Sequence, residues 1–175
     1  RDRDYSARIG AAKTAMQTYL DEGVFRRLPR GFILVERSTP YVKMRHGIVL
    51  SVDLEAYSYR HEDAAPIRAS EATIVERIPP RLKIREGAPL ELPHIMLLYD
   101  DPGNTVWAAA ERQAAEIVYD FDLNMGGGHL RGRLVTEAQP VLDAFYALEK
   151  GGMLFMVGDG NHSLATAKAA WDKLK

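Results

Sequence analysis

Six consecutive residues near the end of the chain concentrate the groups that can do chemistry. GDGNHS at 158–163 follows the hydrophobic run 153–157 and precedes residues 164–174, whose Leu164, Ala167, Trp171 and Leu174 fall on one helical face. A strand, a glycine-containing turn and a helix start bring unpaired backbone N–H groups and the positive end of a helix dipole to one spot. That arrangement suits a phosphate. Gly158 and Gly160 would let the backbone come close to such a group, and Asn161 or Ser163 would cap the helix. Asp159 would hold a cation or a proton, and His162 would donate to an oxyanion or pass a proton. The plainer reading is a tight strand-to-helix turn with Asn161 or Ser163 as N-cap and His162 on a backbone carbonyl, since a G-x-G without a third glycine or a later lysine is a weak nucleotide signature.

The elements that must position this turn read as alternating helices and strands. Residues 6–20 carry Ile9, Ala12, Met16, Tyr19 and Leu20 at helical spacing with Gly23 behind them. Residues 31–36 and 47–53 are short β-branched runs that pair as a hairpin, and 55–66 reads as a loop. Thr73, three residues ahead of Glu76, gives a capping-box pattern; Pro79-Pro80 forces a break, and a short helix runs over 80–86 to Gly87. A strand over 92–99 enters the turn at 100–103, and 108–115 fits helix or strand. Residues 116–123 alternate like an exposed-edge strand and form a hairpin with 129–135. Pro140 opens a helix with Val141, Leu142, Phe145, Tyr146 and Leu148 on its apolar side, Gly151-Gly152 ends it, and 153–157 is the most buried-looking strand. The order predicts an α+β or α/β fold, a mixed sheet with flanking helices, as one domain over residues 1–175. The helix of residues 1–23 is assigned to an adjoining layer.

With 175 residues, 46% hydrophobic and 27% charged, the chain is long enough to bury a core and has neither a disordered nor a low-complexity composition. Its 23 basic and 24 acidic side chains leave a formal charge of -1, so no global field draws it to nucleic acid or an anionic membrane, and any anion site is local. The absence of cysteine removes disulfides, thiolate zinc sites and cysteine nucleophiles together. No run approaches the roughly 20 apolar residues of a membrane span and no secretory pattern opens the chain, which reads as cytoplasmic. Beginning at Arg1 and ending at Lys175 inside a helical pattern, it reads as a piece of a longer protein.

Three segments then carry a resemblance. GDGNHSLATAKA at 158–169, IRASEATIVERIPPRLKIREGAPLELPHIMLLYDDP at 67–102 and YDFDLNMGGGHLRG at 119–132 closely resemble, in the same order, the bacterial and archaeal family known as domain of unknown function 1015, whose members are longer on both sides. That family's loop, usually D-G-H-H-R, is similar to the one in archaeal free serine kinase and to the phosphate-binding turns of sulfiredoxin and the N-terminal domain of ParB. The resemblance implies a ParB/sulfiredoxin-like fold with nucleotide phosphates at the helix start. Asp159, Gly160 and His162 match the motif, while Asn161 stands in place of the first His and Ser163 in place of the Arg. The lost guanidinium is a charge-assisted phosphate clamp of a kind worth about 1.5–3 kcal/mol.

In the family the segment matching 67–81 reads like I-R-P-H-E-K-T followed by D-R. This chain keeps Arg68, Glu71, Thr73 and Arg81, with Ser70 replacing the His. The kinase uses the Glu of a His-Glu pair as base, so the resemblance implies Glu71 as base toward a substrate hydroxyl. The expectation is an ATP- or ADP-dependent, Mg²⁺-assisted phosphotransferase for a small hydroxylated metabolite. Glu71, Asp159 and His162 would be catalytic, Asp159 would hold the metal, and Arg68, Thr73, Arg81, Gly158, Gly160, Asn161 and Ser163 would bind the nucleotide. The competing expectation is a ParB-like module that senses a nucleotide or phosphorylated ligand without turning it over. Neither membrane nor nucleic acid is an expected partner. Of the other candidates, Arg77, Lys83 and Arg85 read as a solvated face and His94 as a core or strand-end histidine. His61-Glu62 sits in a loop whose neighbours do not match the pair, and no spacing asks for zinc at His129 and His162.

Overall fold

The computed structural model describes residues 2–60, 62–92 and 94–175. His61, in the loop set aside above, and Pro93 lie outside them. In chain order the elements are α1 (Asp2–Asp21), β1 (Phe32–Ser38), β2 (Arg45–Val49), β3 (Tyr57–Ser58), β4 (Ile67–Ala69), α2 (Ile78–Arg85), β5 (Met96–Leu98), α3 (Thr105–Gln113), β6 (Ala114–Asp122), β7 (His129–Val135), α4 (Gln139–Tyr146), β8 (Phe155–Asp159) and α5 (Asn161–Leu174). The fold is α+β, with two four-stranded sheets among the described residues. The expectation of a single domain meets a chain whose contacts gather in two units: residues 1–27, 53–98 and 155–175 in the first, residues 28–52 and 99–154 in the second.

The first unit is built on the sheet β3-β4-β8-β5, in which β3, β4 and β8 are parallel and β5 is antiparallel to β8. Ile67 lies opposite both Tyr57 and Phe155, so these side chains and Val157, two residues further on, share one face. All four are buried, and Ile78 and Leu82 of α2 with Leu164, Ala165 and Ala167 of α5 complete the core. Burial of each large member stabilises the unit by about 1.5–3 kcal/mol. The alternate residues Ser58, Arg68 and Met156 take the other face. Helix α1 reaches the start and end of α2, where Tyr5 donates to the Pro80 carbonyl and Lys13 to that of Glu86.

Strand direction brings three strand ends to one edge of this unit. Because β4 and β8 are parallel, their carboxyl ends emerge side by side, and antiparallel β5 brings its beginning to the same edge. In open sheets with parallel strands, ligands bind at that edge.

Local boundaries depart from expectation for identifiable reasons. The last strand is displaced to Phe155–Asp159 and the last helix begins at Asn161, so the six-residue turn shrinks to Gly160 alone. Gly160 is the N-cap, in the left-handed region at φ 86, and no side chain caps the helix; neither Asn161 nor Ser163 does so. Pro79 and Pro80 sit at the first positions of α2, where a missing N–H costs no hydrogen bond, and a 3-10 turn over Val75–Arg77 leads straight into it. No side chain caps that turn, so Thr73 makes no capping box. The expected loop over 55–66 contains β3.

The second unit carries the antiparallel sheet β2-β1-β7-β6. Both expected hairpins are present, and β6 is at an edge. Leu34, Val135, Val106, Trp107, Val141 and Phe145 are buried with α3 and α4 in this unit's core. The stretch that fitted helix or strand becomes α3 because Asp101 receives the Thr105 and Val106 N–H groups at 2.9 and 2.8 Å.

Candidate functional site

The parallel edge of the first unit assembles most of the chemistry from segments far apart in sequence. Leaving β8, the chain passes Asp159, turns at Gly160 and enters α5; leaving β4, it passes Ser70 and Glu71. Asn161 Nδ2 lies 3.3 Å from Glu71 Oε1 and 3.5 Å from Ser70 Oγ. Three residues on, the Ile74 N–H donates to His162 Nε2 at 3.2 Å. The segment 70–74 is therefore fastened to the first turn of α5 at two points. The backbone N–H can only donate, so Nε2 is the acceptor nitrogen and His162 carries its proton on Nδ1 in this arrangement.

The α5 start leaves its first backbone N–H groups outside the helical ladder. The first bond of the helix runs from Leu164 N to the Gly160 carbonyl at 3.0 Å, so the N–H groups of Asn161, His162 and Ser163 precede the ladder. The glycines serve another purpose than the one expected of them. A Cβ at Gly160 would lie 2.7 Å from the His94 carbonyl oxygen, and one at Gly158 would lie 2.9 Å from Leu98 Cγ and Cδ1. The space that absent side chains leave is filled by the β5 segment rather than left for a ligand.

Asp159 is exposed, with Oδ1 accepting from Gly160 N at 2.8 Å and Oδ2 3.7 Å from His94 Nδ1. His94 is a strand-end histidine, as one reading had it, and exposed rather than core; antiparallel pairing, which leaves no mark in sequence spacing, carries it to the site. Among the described residues no cluster of three or more His, Asp or Glu side chains is arranged around a metal position.

The remaining predicted residues lie differently. Arg68 is on the sheet face opposite Ile67, its Nε on the Ala65 carbonyl at 2.8 Å. Arg81 is exposed on α2 and donates Nη1 to the Arg77 carbonyl at 3.0 Å. Thr73 Oγ1 and the Tyr57 hydroxyl are both buried without a hydrogen bond of good geometry. They are nonetheless neighbours: burial pushes the Tyr57 phenol up to about 12, against a smaller opposing pull from Thr73. Tyr57 is a buried polar group that sequence reasoning missed, because 55–66 has no periodicity and reads as a loop, where a tyrosine gives no sign of burial. Ser163 is half-buried at the third helical position.

The family model described as Protein of unknown function (DUF1015) matches residues 1–175, and the chain belongs to that family. No curated protein and no solved structure matches the chain.

Proposed function

Taking that family membership as premise, we propose that the chain is a nucleotide-dependent phosphotransferase acting on a small hydroxylated metabolite, ATP or ADP being the donor and Mg²⁺ the assisting ion. The observation that carries the reading is Glu71: its carboxylate is hydrogen-bonded to the first residue of α5, beside three N–H groups that precede the helical ladder. A carboxylate next to an anion site is placed to take the proton of a hydroxyl attacking a bound phosphoryl group. The nucleotide, when bound, supplies that group. The N–H groups of Asn161, His162 and Ser163 would donate to phosphate oxygens, Asp159 would offer one oxygen to Mg²⁺, and the α5 dipole would favour the negative charge. Arg68 and Arg81 add positive charge if they exchange their present carbonyl partners for phosphate. His162 donates through Nδ1 while Nε2 holds Ile74.

The second reading, a ParB-like sensor that binds a nucleotide or phosphorylated ligand without turnover, is favoured by two observations. Ser163 supplies no guanidinium where the related loops have one, and His162 spends one nitrogen on the backbone.

Thermal shift with ATP, ADP and CTP, with and without Mg²⁺, followed by phosphate transfer to a panel of amino acids and polyols, separates the readings. The phosphotransferase shows nucleotide stabilisation and transfer, and Glu71→Gln lowers transfer on the order of 10²–10⁴ while stabilisation remains. Stabilisation without transfer leaves the sensor. No stabilisation by any nucleotide removes both.

A further inference from the structure

Asparagine at a helix start ordinarily serves as the N-cap. Here Gly160 takes that position, no side chain caps the helix, and Asn161 is already helical. Its side chain turns into the protein, where the residue is only 4% exposed. The amide nitrogen meets Glu71 and Ser70, and Oδ1 is buried with no hydrogen-bond partner. A buried carboxamide with an orphaned oxygen opposes folding, and an apolar side chain of similar shape would not carry that penalty. Neither capping nor stability accounts for Asn161. What it does is grip a carboxylate that is otherwise exposed and lies on an irregular segment; among the described residues Asn161 is the hydrogen-bond partner of Glu71.

We propose that Asn161 is the positioning residue of this site: its buried amide holds the Glu71 carboxylate against the start of α5 and thereby sets the reach of that carboxylate toward a substrate hydroxyl. The proposal rests on the phosphotransferase reading for its catalytic consequence, but the grip itself is a property of the fold. The segment 70–74 has its other fastening at Ile74, so hydrogen exchange at the Ile74 amide reports whether the segment is docked.

Two measurements test it. In Asn161→Leu, exchange at Ile74 speeds up by roughly tenfold, the effect of losing a bond to a charged group. Glu71→Ala gives a similar rise, and the double variant exchanges no faster than either single one because both remove the same bond. In transfer from ATP to a hydroxylated acceptor, Asn161→Leu lowers kcat by about a hundredfold with KM for ATP unchanged, and Asn161→His, which restores an N–H donor, recovers most of it. Additive exchange effects, unchanged Ile74 exchange in Asn161→Leu, or equal losses in the Leu and His variants overturn the proposal. If Asn161→Leu does not fold, Glu71→Ala decides the exchange measurement alone, and unchanged exchange there also overturns it. If the unaltered protein transfers no phosphate, the phosphotransferase reading fails while exchange still decides the grip.

Discussion

At the scale of single residues, the site shows how one position can be right in type and different in role. Asp159, Gly160 and His162 stand out in the sequence as a polar, glycine-containing run after a hydrophobic strand, a pattern that a tight strand-to-helix turn also produces. Their partners were not legible, since His94, Ser70 and Ile74 reach the turn through strand pairing and not through spacing. Gly160 is the clearest case. The left-handed conformation costs a residue with a side chain about 1–2 kcal/mol, and here a Cβ would also meet a backbone carbonyl at 2.7 Å, which cannot swing aside. Gly151 has a similar φ of 60 with nothing within 4 Å. Urea denaturation is therefore expected to show Gly160→Ala losing about 3 kcal/mol or more and Gly151→Ala about 1 kcal/mol. Equal losses would mean that the close approach of the β5 segment contributes nothing.

At the scale of elements, the hairpin of β6 and β7 was readable from alternation and its glycine-rich turn, but the clamp across it was not. His129 is cross-strand from Asp122, and its two ring nitrogens lie 2.8 Å from Asp122 Oδ1 and 2.6 Å from Asp120 Oδ1. Hydrogen bonding to Asp122 and then Asp120 raises the His129 pKa above its ordinary 6.5. A raised folded-state value means that the stabilisation is fully present below about 6.5 and is lost as pH rises through the raised value. The difference in urea midpoint between the unaltered protein and His129→Gln should therefore be largest near pH 6 and vanish in alkali. A constant difference across that range would show the clamp to be electrostatically silent. Solvent exposure keeps the effect small and salt-sensitive.

At the scale of the whole molecule, the chain leaves the first unit and returns to it twice, and each unit carries one of the two tryptophans, Trp171 in the first and Trp107 in the second. Trp171 Nε1 donates to Glu55 Oε1 at 2.5 Å, and Lys168 and Lys175 also reach that carboxylate at 3.2 and 2.8 Å. Together, with Lys175 foremost, they hold Glu55 at about 2 instead of its ordinary 4.5. A depressed folded-state value stabilises above about 4.5 and ceases to do so as pH falls through about 2. Fluorescence of Trp107→Phe, with Trp171 as sole reporter, should show Glu55→Gln lowering the urea midpoint at neutral pH. An unchanged midpoint would show that the cluster around Glu55 contributes nothing to the stability of the first unit.

The sequence by itself determined the α+β class, the family, both hairpins, most helices and the strand-to-helix junction near the end of the chain. These follow from periodicity, from glycine and proline placement and from local motif, all properties of neighbouring residues. That no helix among the described residues is long and apolar enough to cross a membrane was equally plain from composition. Only the tertiary structure decided that the packing has two centres, that Asn161 turns inward to Glu71 instead of capping its helix, and that the glycines make room for a neighbouring strand. Each of these depends on which strands lie side by side and in which direction. Pairing between distant segments is set by burial of whole faces, a quantity no local window of sequence contains.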